Sequence, residues 1–394
     1  MASYNNKSSL EQLKIIIAVD SFKGSLSSTE IFEIMSEEIE KQIKEKQIAK
    51  NVQLKKYSIA DGGEGTVEAF VEMTGGKYVY LQNSGPLMKK IDTKYGLLGD
   101  KKTVVIDMAS SCALTMVNGE ERNPMNTTTF GVGEQIVDAL NKGYKNFILG
   151  LGGACTNDGG IGMLQSLGVT FIGEDGKPLA NGGGGKQLNQ IRDIDLSRMD
   201  KRLNDCKFTI ASDVTNPLYG KNGAAYVYAP QKGATPEMVE ELDKGLRNFS
   251  TVIKNKTGVD ISEVKGSGAA GGIGGGIVAF LNSEMRSGIE LLLLYSDYEK
   301  ELLDTDFVIT GEGKIDSQTL NGKAPYVITK KAKEKNVCVI GVCGKKEIDE
   351  KDIIMDVIYE ISDNSLPLEV NMANAKENMK ATSLKIGEYI SKRI

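Results

Sequence analysis

The sequence predicts an α/β fold of two dissimilar domains: a doubly wound parallel-sheet domain and an inserted second α/β domain, with the active site in the cleft between them. Three observations carry this. Short β-branched apolar runs alternate with amphipathic stretches of helical spacing, which is the rhythm of a parallel sheet with crossover helices. Those runs end in loops rich in Gly, Asp, Ser and Thr. Finally, 394 residues exceed one ordinary domain, and 45 glycines beside only 8 prolines, in a chain 40% apolar, indicate folded structure with many tight turns.

In chain order, residues 1–12 read as a frayed tail, and KIIIAV (14–19) as a buried strand closed by Asp20-Ser21. Ser27 and Glu30 have capping-box spacing, and Ile31, Ile34, Met35, Ile39 and Ile43 then recur as a helical stripe. VQLKKYSIA (52–60) is a second strand, ending at Asp61-Gly-Gly-Glu-Gly. The pattern returns in the strand NFILGLGG (146–153), the short helix IGMLQSLG (161–168), and the strands CKFTIASDV (206–214) and DFVITGEG (306–313). It closes with the helix and strand of KKAKEKNVCVIGVCG (330–344) and the strand DVIYEIS (356–362). Between these, shorter strand-like pieces and long glycine-rich connections fill about 66–140 and 170–285, and no fixed-period repeat is present. We therefore place a discontinuous Rossmann-like domain at 1–65 plus 286–394 and the inserted α/β domain at 66–285.

Composition excludes several functions. The chain has no histidine, so Ser-His-Asp and Cys-His nucleophiles, His-containing zinc sites and the H-R-D kinase loop are absent. Proton transfer must use carboxylate, lysine, tyrosine, cysteine or water. A net charge of −5 argues against nucleic-acid or anionic-membrane partners. The five cysteines form no C-x-x-C pair and read as buried thiols of a reducing compartment. A polar N-terminus and apolar stretches far short of a membrane span place the protein in the cytoplasm.

Five polar-glycine loops sit at predicted carboxyl ends of strands: 20–25, 61–66, 152–160, 212–217 and 310–316. Open α/β sheets bind ligands there, and glycine lets backbone N–H groups approach phosphate oxygens. Small-molecule phosphate chemistry is the reading, without a P-loop, since no G-x-x-x-x-G-K-[ST] occurs. Gly266-Ser-Gly-Ala-Ala-Gly271 matches G-x-G-x-x-G, but only a marginal strand precedes it; a hinge or a flexible phosphate-cradling segment over 266–276 suits its glycine density better. Acidic candidates for metal or base are Asp20, Asp61, Asp158, Asp213 and Asp316, and Lys23 and Lys314 are placed for anion contact.

These loops also carry a resemblance. IAVDSFKGSLSSTE, ADGGEGT, MASSCALTMV, TTTFGVGE, LGLGGACTNDGGIGML, SDVTNPLYGKNGAA, GSGAAGGIGGG and ITGEGKIDSQTLNGKAP occur in the order seen in bacterial type I glycerate kinases, from about residue 14 to the C-terminus. The resemblance implies phosphotransfer from ATP to D-glycerate with Mg²⁺, yielding 2-phosphoglycerate in preference to the 3-isomer. It departs at Ala154-Cys155, where the family has Ser-Ala, and at Lys314, where it often has Arg, a change that keeps charge but loses a bidentate fork.

On that reading Asp20, Ser21, Lys23, Thr156 and Asn157 bind substrate, and Gly266, Gly268, Gly271, Gly311 and Gly313 bind nucleotide phosphate. Asp158 or Asp213 holds the metal, Asp61 or Asp316 accepts the hydroxyl proton, and Lys314 stabilises the transferring phosphoryl. The partners are then D-glycerate and ATP, with homo-oligomerisation left open. The competing readings are an NAD-dependent hydroxy-acid dehydrogenase, resting on Gly266–Gly271, and a non-catalytic nucleotide or sugar-acid sensor.

Overall fold

The computed structural model describes residues 10–59, 62–349 and 352–394. The chain divides into two compact α/β units, one made by the chain up to Ile59 with Ser296–Ile394, the other by Ala60–Tyr295.

The first unit is a five-stranded sheet. Its strands are β1 (Leu10–Val19), β2 (Ala49–Lys56), β11 (Phe307–Asp316), β12 (Cys338–Glu347) and β13 (Val357–Glu360), in the spatial order β13-β12-β11-β1-β2. All four pairings are parallel. Such sheets are covered on both faces, so their strands need no alternation; Ile15, Ile16 and Ile17 are accordingly all buried. Ile15, Ile17 and Val19 join the core formed with helix Ser28–Glu45 and helix Ala375–Arg393. On the opposite face helix Ala324–Glu334 lies against β1, β11 and β12. The first helix begins with the expected capping box: Glu30 N donates to Ser27 Oγ at 3.2 Å, and Ser27 N donates to Glu30 Oε2 at 3.0 Å. The chain leaves β1 toward β2 on one side and β11 toward β12 on the other. The switch point of the sheet, where ligands bind in open α/β folds, is therefore the adjacent carboxyl ends of β1 and β11.

The second unit has a six-stranded sheet, ordered β10-β9-β6-β5-β4-β3. Its strands are β3 (Lys77–Ser84), β4 (Lys90–Leu97), β5 (Thr103–Asp107), β6 (Asn146–Gly150), β9 (Lys207–Ala211) and β10 (Ser283–Arg286). β5, β6, β9 and β10 run parallel, while β3 and β4 form an antiparallel hairpin attached to β5. A small antiparallel pair, β7 (Thr170–Ile172) and β8 (Asp193–Asp195), stands apart. The core is continuous from Tyr95 through Phe147 and Phe208, whose rings stack at 4.8 Å, to the buried stripe of helix Pro236–Thr257.

Two expectations are corrected here. Residues 310–316, expected as a loop, remain in β11 and pair with β12 as far as Asp316↔Glu347. The segment 266–276, expected as a hinge or loose cradle, is packed: it opens helix Ala269–Phe280, with left-handed backbone at Ala270, Gly271 and Gly272, and the helical residues up to Ile277 are nearly all buried.

Candidate functional site

At the switch point of the first unit the chain gathers five of the predicted residues. Asp20 follows β1, and its N–H donates to Gly311 O at 2.9 Å. Its carboxylate accepts from Ser21 N at 2.6 Å, turning the chain sharply away from the sheet. The exposed Lys23 follows in a turn closed between Phe22 and Leu26. Gly313 on β11 leaves this turn uncovered, since a Cβ there would lie 3.7 Å from Phe22 Cα and 4.0 Å from Lys23 N. Gly311 has a different reason for being glycine, because its missing side chain makes room for Val342 O. Further along β11, the exposed Lys314 pairs with Glu347 at 2.7 Å and Asp316 at 3.5 Å, and the hydrogen-bonded carboxylate of Glu347 raises its pKa. Asp316 accepts from Gln318 N at 2.9 Å. Between Gly311 and Gly313, Glu312, which the sequence reading passed over, accepts from Thr319 Oγ1 at 2.7 Å and Lys323 Nζ at 3.2 Å. An acid enclosed by two glycines at a strand end was its available signal. Asp61 lies outside the described residues.

In the second unit the loops after β5, β6 and β9 lie side by side, and the turn Gly62–Gly65 rests on them. Gly152 N donates to Gly62 O at 2.8 Å, and a Cβ on Gly62 would come within 2.2 Å of Ala211 O. Thr156, Asn157 and Asp158 are fully buried after β6. Asp158 accepts five hydrogen bonds, from Thr128 Oγ1, from Thr129 N and Oγ1, and from the N–H groups of Gly160 and Gly162. Burial nevertheless pushes its pKa up. The expected metal role does not fit, because the carboxylate is fully buried and already accepts from five protein donors, four on Oδ2 and one on Oδ1; it braces the glycine loop. Asp213, the other acid expected to hold metal, is exposed after β9. Among the described residues no group of three or more Cys, Asp or Glu could hold a metal ion.

Gly266, Gly268 and Gly271 turn their bare faces to the chain. A Cβ at Gly268 would stand 2.3 Å from Pro217 O, one at Gly271 2.2 Å from Thr156 O, and one at Gly266 2.2 Å from Met285 Sδ. Gly268 N is already bound to Asn216 O. These glycines serve close chain packing where a phosphate cradle was expected. No strand enters Gly266 and the following helix is broken at its start, so the dinucleotide fingerprint lacks its structural context.

Sequence reasoning also missed Lys232, Asp107 and the Lys77–Leu97 hairpin. Lys232 is buried and forms no ion pair with a carboxylate among the described residues; its Nζ donates to Thr156 O at 2.6 Å, and burial lowers its pKa to about 8. Asp107, at the end of β5, is 3% exposed and accepts from Ser110 N at 2.8 Å, from Ser110 Oγ, and from Val67 N at the start of helix Thr66–Thr74. It stands as Asp20 does, an acid closing a strand before a small-residue turn, and that parallel was its signal. Between Asp107, the Gly62–Gly65 turn and the hairpin opens a cavity of about 660 Å³.

The glycerate kinase family profile matches residues 15–391. The chain is 41% identical over 383 residues to glycerate 2-kinase of Escherichia coli K12, covering 96% of this chain and 98% of that protein. It is 40% identical over 381 residues to glycerate kinase of Bacillus subtilis 168, with 96% and 98% coverage. A crystal structure of a glycerate kinase 2 candidate from Salmonella typhimurium LT2 superposes with a TM-score of 0.81 at 40% identity, over 97% of this chain and 99% of that one. Similarity of this extent, through both α/β units, establishes that the chain belongs to the glycerate kinase family.

Proposed function

We propose that the protein is a cytoplasmic, ATP-dependent glycerate kinase that phosphorylates D-glycerate to 2-phosphoglycerate. The observation that carries the reading is end-to-end similarity to a glycerate 2-kinase, and the polar turn at the switch point of the first sheet agrees with it. Phosphoryl transfer needs positioning and charge neutralisation more than covalent chemistry by the protein. In our reading Lys23 and Ser21, with Asp20 shaping the turn, hold the glycerate carboxylate against backbone N–H groups. Thr156 and Asn157 contribute polar groups to the substrate: three of their side-chain atoms are buried and have no hydrogen-bond partner among the described residues, so they have unused capacity for a ligand. Asp316 or Asp61 accepts the hydroxyl proton, and Lys314 with the N–H group of Gly313 steadies the phosphoryl group; Gly311, paired in the sheet with Val19 and Val342, drops out of that role. Mg²⁺, held by Asp213, would supply charge neutralisation on the donor phosphates.

The test is the product of ATP, Mg²⁺ and D-glycerate, read by ³¹P NMR. We expect ADP and 2-phosphoglycerate. A clean 3-phosphoglycerate signal overturns the regiochemistry, and absence of glycerate-dependent ADP release overturns the function.

A further inference from the structure

We propose that the 660 Å³ cavity of the second unit binds the purine and ribose of the phosphoryl donor, an inference that rests on the kinase reading above. The cavity lies between the β3–β4 hairpin, the start of helix Thr66–Thr74 and the carboxyl end of β5. Its size suits a nucleoside and greatly exceeds a three-carbon acid. Its charge also excludes glycerate: Glu64, Glu68, Asp92 and Asp107 line it against one cation, Lys94, which is already paired with Glu68 at 2.8 Å. An anionic substrate would be repelled, whereas the neutral hydroxyls of a ribose are donors that carboxylates accept.

The hairpin supplies an aromatic surface. Tyr80 is 74% exposed, an unusual position for so large an apolar side chain, and it lines the cavity. Across the hairpin it is opposite Lys94, whose ammonium sits 4.4 Å from the ring centre of the neighbouring Tyr78. An exposed ring beside apolar Leu81 and Ala109 is a stacking platform for a base.

A glycine turn borders the cavity. Gly153, in the turn after β6, has a left-handed backbone, and a Cβ on it would lie 3.7 Å from Ala109 Cβ and 3.8 Å from Glu64 N. Two lining residues are thus neighbours of a glycine turn at a strand end, where backbone N–H groups meet phosphates. The nucleoside occupies the cavity, and its phosphates run past Ala109 toward Gly153. This placement replaces Gly266, Gly268 and Gly271 as the nucleotide contacts.

Two measurements on the full chain test it. Isothermal titration with ADP and Mg²⁺ should show binding that weakens roughly tenfold or more in Tyr80→Ala, the usual worth of one base–aromatic stack. The substituted side chain is exposed, so the fold is retained; circular dichroism checks this. Independently, photolabelling with 8-azido-ATP should mark a peptide within residues 77–94. An unchanged ADP affinity in Tyr80→Ala, or label elsewhere, overturns the cavity assignment while leaving the kinase reading intact. Failure of the unsubstituted protein to bind ADP at all overturns both.

Discussion

Asp158 and Asp316 show how burial separates carboxylates that look alike in sequence. Asp158 is enclosed by donors and acts through the loop it braces, whereas Asp316 stands at the partly open end of β11 beside Lys314. This chain has no imidazole, and lysine is best kept protonated near phosphate, so a carboxylate is left to accept the hydroxyl proton. If Asp316 is that base, Asp316→Asn lowers kcat by roughly 10²–10⁴ with little change in KM for glycerate, as loss of general base catalysis does. Asp213→Asn instead raises the Mg²⁺ requirement, and excess metal partly restores the rate. Steady-state kinetics at several metal concentrations separates the two, and a kcat within a few-fold of the parent removes Asp316 from the role. Lys232 allows a prediction of a different kind. Its folded-state pKa of about 8 lies below the 10.5 of a solvated lysine, so between these values the unfolded chain binds the extra proton and stability rises with pH. The penalty of burying the charge is complete below about pH 8 and is relieved as pH approaches 10.5. At about 1.4 kcal/mol per pH unit it amounts to about 3 kcal/mol. Urea unfolding of the parent and of Lys232→Met should diverge by that order across this window, which cancels other groups titrating there. A pH-independent difference overturns the assignment.

At the scale of elements, glycine does two jobs that sequence alone does not separate. Gly258 ends helix Pro236–Thr257 in a left-handed conformation, with open space where a side chain would be. Gly258→Ala therefore costs only the backbone term, about 1–2 kcal/mol. Gly271 is also left-handed, yet a Cβ there meets Thr156 O at 2.2 Å. Gly271→Ala has to displace the buried Thr156–Asp158 loop as well, and we expect a loss of ~3 kcal/mol or more. Urea midpoints of the two variants check the order, and equal losses would show that the loop yields freely. The same contrast explains what was legible. β1, its capped helix and the strands β6, β9 and β12 were readable because β-branched or aliphatic runs and a capping box act locally. The β3–β4 hairpin was not, because the exposed Lys77, Tyr80 and Gln82 break the two-residue alternation of a half-buried strand and its turn, Gly85–Lys89, lacks an Asn-Gly signal. Helix Pro236–Thr257 was missed although Thr235 caps it, Pro236 opens it and Gly258 closes it; its many charges hid the apolar stripe. The switch-point turn was legible as a strand-end loop. The cavity was not, since it depends on which loops the sheet order makes neighbours.

At the scale of the whole molecule, the first unit joins pieces from the two ends of the chain. Thr310 Oγ1 donates to Ala18 O at 2.7 Å across 292 positions of sequence, and Ile15–Val19 of β1 pair with Phe307–Gly311 of β11. The turn 20–26 and the stretch 311–316 are consequently one surface, made by two segments that no local contact along the chain could bring together. A ligand held there must order both. Asp20 N–H is fixed on Gly311 O, and Gly313 leaves the Phe22–Lys23 backbone open beside it. Opening of either segment in the ligand-free protein exposes amides that a bound carboxylate would cover, and binding shifts that local equilibrium by mass action. Glycerate alone should thus slow hydrogen exchange in 20–26 and in 311–316 together, with the same concentration dependence, read by mass spectrometry on peptides from each. ADP with Mg²⁺ should act on a different set, the 77–97 hairpin and the 152–153 turn. If glycerate protects only one of the two first-unit segments, or protects the hairpin instead, the switch point is not where the acid binds.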